Sequence, residues 1–207
     1  MMKKRYLLAE KLRSYIVQYG INEMHEEHLS KVGLSLNELN ECFVDKQDMV
    51  RAILEHERIS FEEIFNEYNF DGWNALDILL IVSHEINDRF FHVTPSITIT
   101  FSELFPEIFQ EHLEKRSDFI YEKMKINIEK GMEQGMYKLD VSSEMIARMF
   151  IANLNDIHNP QIYPPEEFTF STIFNNLIEN LVRNIANEEG KYYYKQRKQL
   201  HNVLNFR

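Results

Sequence analysis

The chain is short of turn-forming residues: its 207 residues include only 6 Gly and 5 Pro. An all-β protein needs a turn roughly every 8–12 residues, so this scarcity argues against a sandwich or a barrel. The single cysteine, Cys42, excludes an internal disulfide and a cysteine-built zinc cluster, and it fits a reducing compartment. Long apolar runs are missing too. The longest, Ile78–Val82, falls far short of the roughly 20 residues a membrane span needs. There is no Gly-x-Ser-x-Gly, no phosphate-cradling Gly loop and no dinucleotide fingerprint, so no enzyme class is signalled and no cofactor is expected. The basic start Met1-Met2-Lys3-Lys4-Arg5 leads into a polar amphipathic pattern instead of a signal-peptide stretch. The expectation is a soluble cytoplasmic protein with no membrane partner.

Charge is unevenly spread. The net charge is -10, yet residues 1–51 are neutral, with eight basic side chains against eight acidic ones. The body beyond residue 51 therefore repels nucleic acid more than the N-terminal part does. The tail after Gly190 reverses sign, with Lys191, Lys195, Arg197, Lys198 and Arg207 and no acid. It reads as a packed or frayed end, or as a contact for an acidic partner.

What is abundant is helical periodicity. Leu7, Leu8, Leu12, Tyr15, Ile16 and Tyr19 mark a first helix over Lys3–Tyr19, stopped by Gly20. Short helices follow over Met24–Lys31 and Ser35–Phe43. Asp45 caps a long helix that ends near Asp71-Gly72, and Trp73–Phe91 is the next. Ser96–Thr100 reads as a turn of helix or an irregular link before a short helix at Ser102. A long helix runs from Glu107 to about Gly131. Asp140 reads as the N-cap of a helix over Met145–Ile157, and Phe168–Asn187 is the last strong helix. The result is an all-α chain of about nine helices.

Within it, Leu29–Val50 has the layout of a helix-turn-helix, with a turn at Gly33 and a capping Ser35. That reading gives phosphate or base contacts to Ser35, Asn37, Asn40 and Lys46, and backbone or minor-groove contacts to Lys3, Lys4 and Arg5 in an N-terminal arm. Against it, the second helix carries Glu38 and Glu41 and no Lys or Arg. The bland alternative is an ordinary helical hairpin. His25-Glu26-Glu27-His28 has the wrong spacing for the zinc-hydrolase motif and reads as a solvated helix face. His84 and His158 read likewise, as lone helical histidines, so no metal is expected.

The chain resembles the TetR family of bacterial transcriptional regulators. The resemblance rests on Tyr19-Gly20, on Val32-Gly33-Leu34-Ser35, on Leu39, Phe43 and Asp45-Lys46-Gln47-Asp48-Met49, and on the link Gly131-Met132-Glu133-Gln134-Gly135-Met136-Tyr137-Lys138-Leu139-Asp140. The chain departs from the family pattern at Asn37, where a small Gly is usual, at Asn40, where a phosphate-contacting Tyr stands, and at Cys42. The segment between Gly20 and Gly33 is one residue short.

The resemblance implies a three-helix DNA-binding domain over 1–46 and a helical ligand-binding and dimerisation domain over 47–207. It implies a ligand-responsive regulator, a repressor of a double-stranded DNA operator, in which a small apolar effector tilts the long helix from Asp45. Trp73, Phe101, Phe105, Tyr121, Met124 and Phe150 are the expected effector lining; plain core packing is the alternative for each. The resemblance also implies a four-helix homodimer interface from the last two strong helices. Ile146, Phe150, Phe174, Leu177, Leu181 and Ile185 are its expected residues, because their stripe is broader than a surface helix needs; burial inside one subunit is the alternative. The competing class is a helical interaction protein on the same scaffold that has lost specific DNA binding.

Overall fold

A computed structural model describes residues 2–22, 24–90 and 95–204, with side chains described over 4–22, 24–90 and 97–200. The described residues form ten α-helices: α1 Met2–Tyr19, α2 Glu26–Lys31, α3 Leu36–Cys42, α4 Lys46–Glu67, α5 Ala75–Phe90, α6 Pro95–Leu104, α7 Pro106–Glu133, α8 Ser143–Asn155, α9 Phe170–Ile185 and α10 Glu188–Leu204. A 3₁₀ turn, Asp156–His158, extends α8. Among the described residues there is no strand, only an isolated bridge between Tyr137 and Ala186. The all-α expectation holds, and no helix among these residues is long and apolar enough to cross a membrane.

Three local readings need correction. The segment read as a turn of helix or an irregular link at Ser96–Thr100, followed by a separate helix at Ser102, is one continuous helix, α6. Its β-branched Ile97 side chain is buried, so packing overrides the strand propensity of the segment. The cap of α8 is Ser142, which accepts from the Met145 N–H at 3.2 Å, not Asp140. The basic tail forms α10 and raises the count from nine to ten.

The chain divides into two compact units. Unit 1 comprises Met1–Glu63 and Val93–Lys115; unit 2 comprises Ile64–His92 and Arg116–Arg207. In unit 1, α1 buries Leu8, Leu12, Tyr15 and Ile16. They share a core with Leu29, Leu34, Leu39, Phe43, Val50, Ile53, Ile97, Phe101 and Ile108.

In unit 2, α9 buries Phe174, Ile178, Leu181, Val182 and Ile185 on one side, the i, i+4, i+7, i+8 pattern of a helix packed on its own body. The turn after α7 is tied to the α9–α10 corner by Lys138 N–H to Ile185 O at 2.9 Å and Asn187 N–H to Met136 O at 3.1 Å. Buried Tyr137 donates to Asn127 Oδ1 at 3.1 Å, and Asn127 Nδ2 donates to Ala75 O at 2.8 Å. Burial raises the pKa of the Tyr137 hydroxyl, which stays a donor. α10 docks on α5 through Asp77, which accepts from the Tyr193 hydroxyl and from Arg197 Nε, both at 2.6 Å.

Candidate nucleic-acid interface

The corner between α2 and α3 is built by backbone chemistry. Gly33 takes φ +69°, a left-handed conformation that L side chains rarely adopt. Its N–H bonds Ser30 O at 3.1 Å, and the Leu34 N–H reaches back to Leu29 O at 2.9 Å. That pair of bonds is a Schellman motif, and its usual apolar contact is supplied by buried Leu29 and Leu34. Lys11 Nζ donates to Gly33 O at 2.9 Å, tying α1 to the same turn.

α3 starts at an extended Ser35, whose Oγ accepts from the Glu38 N–H at 3.3 Å and donates to Glu38 Oε2 at 3.0 Å. The Leu36 N–H is taken by Glu26 Oε2 at 3.1 Å. Two carboxylates thus cover the positive end of α3, and Glu38 acts first as part of the cap. Leu39 and Phe43 anchor the helix in the unit 1 core, which leaves Asn37, Asn40 and Glu41 on the outer face. Asp45 Oδ1 then accepts from the Asp48 N–H at 2.8 Å and caps α4.

The expected cations are placed unequally. Arg5 does not project from an arm. Its Nη1 donates to Cys42 O at 2.7 Å and to Asp48 Oδ2 at 3.1 Å, its Nη2 pairs with Asp48 Oδ1, and its guanidinium lies 4.8 Å from the Phe43 ring centre. It is half-buried and clamps α1 to the α3–α4 corner. The shared hydrogen bonds raise the Arg5 pKa and lower that of Asp48. Lys4 is exposed and lies 3.6 Å from Glu41. Lys46, also exposed, donates through Nζ to Asn22 O at 2.5 Å. The side chain of Lys3 lies outside the described residues. Ser35 thus caps α3, Asn37 and Asn40 lie on its outer face, Lys4 reaches it at Glu41, Lys46 opens α4, and Arg5 joins α1 to Cys42 and Asp48 from inside. Sequence reasoning missed the clamp because its partner, Asp48, is 43 residues away.

The ring of His28 stacks on Tyr19 at 4.4 Å, a packing role. Among the described residues no group of three or more His, Cys, Asp or Glu is placed to hold a metal ion.

Of the expected effector lining, two residues belong to unit 1 and four to unit 2. Phe101 is buried in the unit 1 core and Phe105 packs against that core. Trp73, Tyr121, Met124 and Phe150 belong to unit 2. Of these, Met124 and Phe150 are buried, Tyr121 lies under the guanidinium of Arg148 at 5.2 Å, and Trp73 is about a third exposed with its ring edge-on to Phe70.

Of the expected dimer residues, Phe150, Phe174, Leu181 and Ile185 are buried within the single chain. Ile146 and Leu177 are partly exposed. On α8, Met145 and Met149 are open, 62% and 56% exposed. The outer side of α9 presents Asn175, Asn176, Asn180 and Asn184.

Solved structures share this architecture. A TetR-family transcriptional regulator from Agrobacterium tumefaciens matches with a TM-score of 0.63 at 15% identity, over 89% of this chain and 98% of that one. A TetR transcription regulator from Haloarcula marismortui matches with a TM-score of 0.66 at 12% identity, over 90% of this chain and all of the other. SmeT in complex with triclosan matches with a TM-score of 0.63 at 12% identity, over 90% and 93% of the two chains. No family model and no curated protein matches the sequence. The chain has the fold of TetR-family transcriptional regulators.

Proposed function

We propose that this protein is a DNA-binding transcriptional regulator, a repressor released by a small apolar effector and acting as a homodimer in the cytoplasm. The observation that carries the reading is the α2–Gly33–α3 corner. It is held by a Schellman turn, a Ser35 cap and the Arg5–Asp48 clamp, and it leaves Asn37 and Asn40 outward on an otherwise anchored helix. Asparagine is suited to reading adenine in the major groove, and Lys4 and Lys46 flank the helix as phosphate contacts. Residues 1–46 carry the DNA-facing surface, and 47–207 carry effector binding and dimerisation. The triclosan complex of SmeT supports an apolar effector, with Trp73, Tyr121, Met124 and Phe150 of unit 2 nearest to such a role. Dimerisation is assigned to the side of unit 2 with Met145, Ile146, Met149 and Leu177, where apolar side chains remain open.

A second reading has its own observation: α3 has no cation, and the Glu26 and Glu38 carboxylates occupy its N-terminal end. On that reading the scaffold serves protein interaction without sequence readout. One experiment separates the two. The purified full chain is used to select from a random DNA pool, and binding is then followed against salt. A regulator yields a palindromic consensus whose affinity falls steeply as salt rises. No retained DNA even at low salt favours the interaction protein.

A further inference from the structure

α9 and α10 form a hairpin joined through Ala186 and Asn187, and a groove of about 460 Å³ is lined by both helices. Its apolar floor is Val182 and Tyr194, both buried. Its rim is cationic: Arg183 comes from α9, and Lys191, Lys195 and Lys198 come from α10. On α10 these lysines recur at four- and three-residue steps, so they stand on one face together with Tyr194. The carboxylate of the lining is Glu179, which pairs with Lys198 and accepts from the Tyr194 hydroxyl at 3.3 Å. Lys191 is held by Glu188 at 2.7 Å. Arg183 and Lys195 are exposed and have no ion pair among the described residues. Burial and the neighbouring carboxylate raise the Tyr194 pKa, so its hydroxyl adds no negative charge.

A chain of net charge -10 has thus gathered four cations around a concavity with one carboxylate. Glu179 and Glu188 offset Lys198 and Lys191, and the two cations without an ion pair among the described residues, Arg183 and Lys195, are where an anion has most to offer. The volume lies within the roughly 300–1,000 Å³ of small-molecule sites. Arg183 offers a planar fork suited to a tetrahedral oxyanion, and Lys195 a point charge. The apolar floor gives room for the uncharged body of such a ligand.

We propose that the α9–α10 groove binds a small phosphate-bearing anion of two or more charges. Arg183 and Lys195 are its direct contacts, and the Lys191 and Lys198 charges support it. Such a ligand bridges α9 and α10 and stabilises the docked terminal helix. The site involves neither the helix-turn-helix nor any residue assigned to DNA, so it stands or falls independently of the regulator reading.

The test uses the full chain and pyrophosphate as the probe, in calorimetric titration at low salt with no DNA present. Wild type gives a saturable heat that weakens as sodium chloride rises. The Arg183→Gln/Lys195→Gln double variant, whose altered side chains are exposed, keeps its far-UV circular dichroism and loses about tenfold or more in affinity. Equal affinity in the double variant overturns the assignment, as does a wild type with no saturable heat. A double variant that loses DNA affinity while wild type ignores pyrophosphate also overturns it, by making the groove a nucleic-acid contact.

Discussion

Replacing Arg5 by Ala separates two roles that the sequence alone does not distinguish. If Arg5 contacts DNA from a free arm, its loss leaves stability untouched. In the structure the side chain donates to both Asp48 oxygens and to Cys42 O and covers the Phe43 ring. Hydrogen bonds to charged groups are worth roughly 1.5–3 kcal/mol net, and a partly exposed cation–π contact about 0.5–1 kcal/mol. Both charged side chains are about a quarter exposed, so solvent screening reduces the ion-pair part. The expected loss for Arg5→Ala is about 2 kcal/mol. For a chain of this size that lowers the melting temperature by roughly 4–8 °C, if unfolding is cooperative.

Arg5→Lys should not restore the loss, because an ammonium lacks the fork that engages both oxygens. A double-mutant cycle with Asp48→Ala should show strong coupling, measured by denaturant unfolding followed by circular dichroism. The pH dependence has a definite sign. The Asp48 carboxyl is lowered below its ordinary value. Its contribution is complete above the ordinary carboxylate range, near pH 4, and is lost as pH falls through the depressed folded-state value. The wild-type advantage over Asp48→Asn should therefore shrink in acid and stay constant from about pH 5 upward. An Arg5→Ala protein with an unchanged denaturation midpoint and a uniformly weakened DNA affinity would refute the clamp and restore the arm.

Gly131→Ala should destabilise unit 2 by about 1–3 kcal/mol or more, since a Cβ there would stand 2.1 Å from the buried Tyr137 ring, which has no room to give way; thermal denaturation checks it. Leu181→Asp should unfold unit 2 outright, because that side chain is buried in its own chain, whereas Met149→Asp on the open side of α8 should leave the fold intact and shift a dimer to monomer in sedimentation. A Met149→Asp protein that stays dimeric would move the interface elsewhere. Lys46→Ala should weaken DNA binding about equally for all sequences and lower the salt slope by about one, as a phosphate contact does; an unchanged slope would remove Lys46 from the interface.

The local devices of this fold were legible in the sequence because each depends on neighbours along the chain. Gly20 and Gly33 end helices through a left-handed conformation, Ser35 and Asp45 cap the next ones, and a 3.6-residue apolar repeat marks α1, α4, α5, α7, α8 and α9. These sufficed for an all-α chain and for the position of the corner that presents Asn37 and Asn40. What depends on partners distant in sequence was not legible. An apolar stripe records that a face is buried and not against what, so Phe174, Leu181 and Ile185 suited a partner subunit as well as their own core. A basic residue near a terminus suits DNA as well as a carboxylate 43 residues away, and tertiary packing assigned Arg5 to Asp48. The polar, basic tail has a weak periodic signal by itself; α10 is held on α5 by Tyr193 and Arg197 meeting Asp77 more than a hundred residues earlier. Period and caps are properties of short windows, whereas the choice of partner for a buried face or a charge is made only when the whole chain has packed.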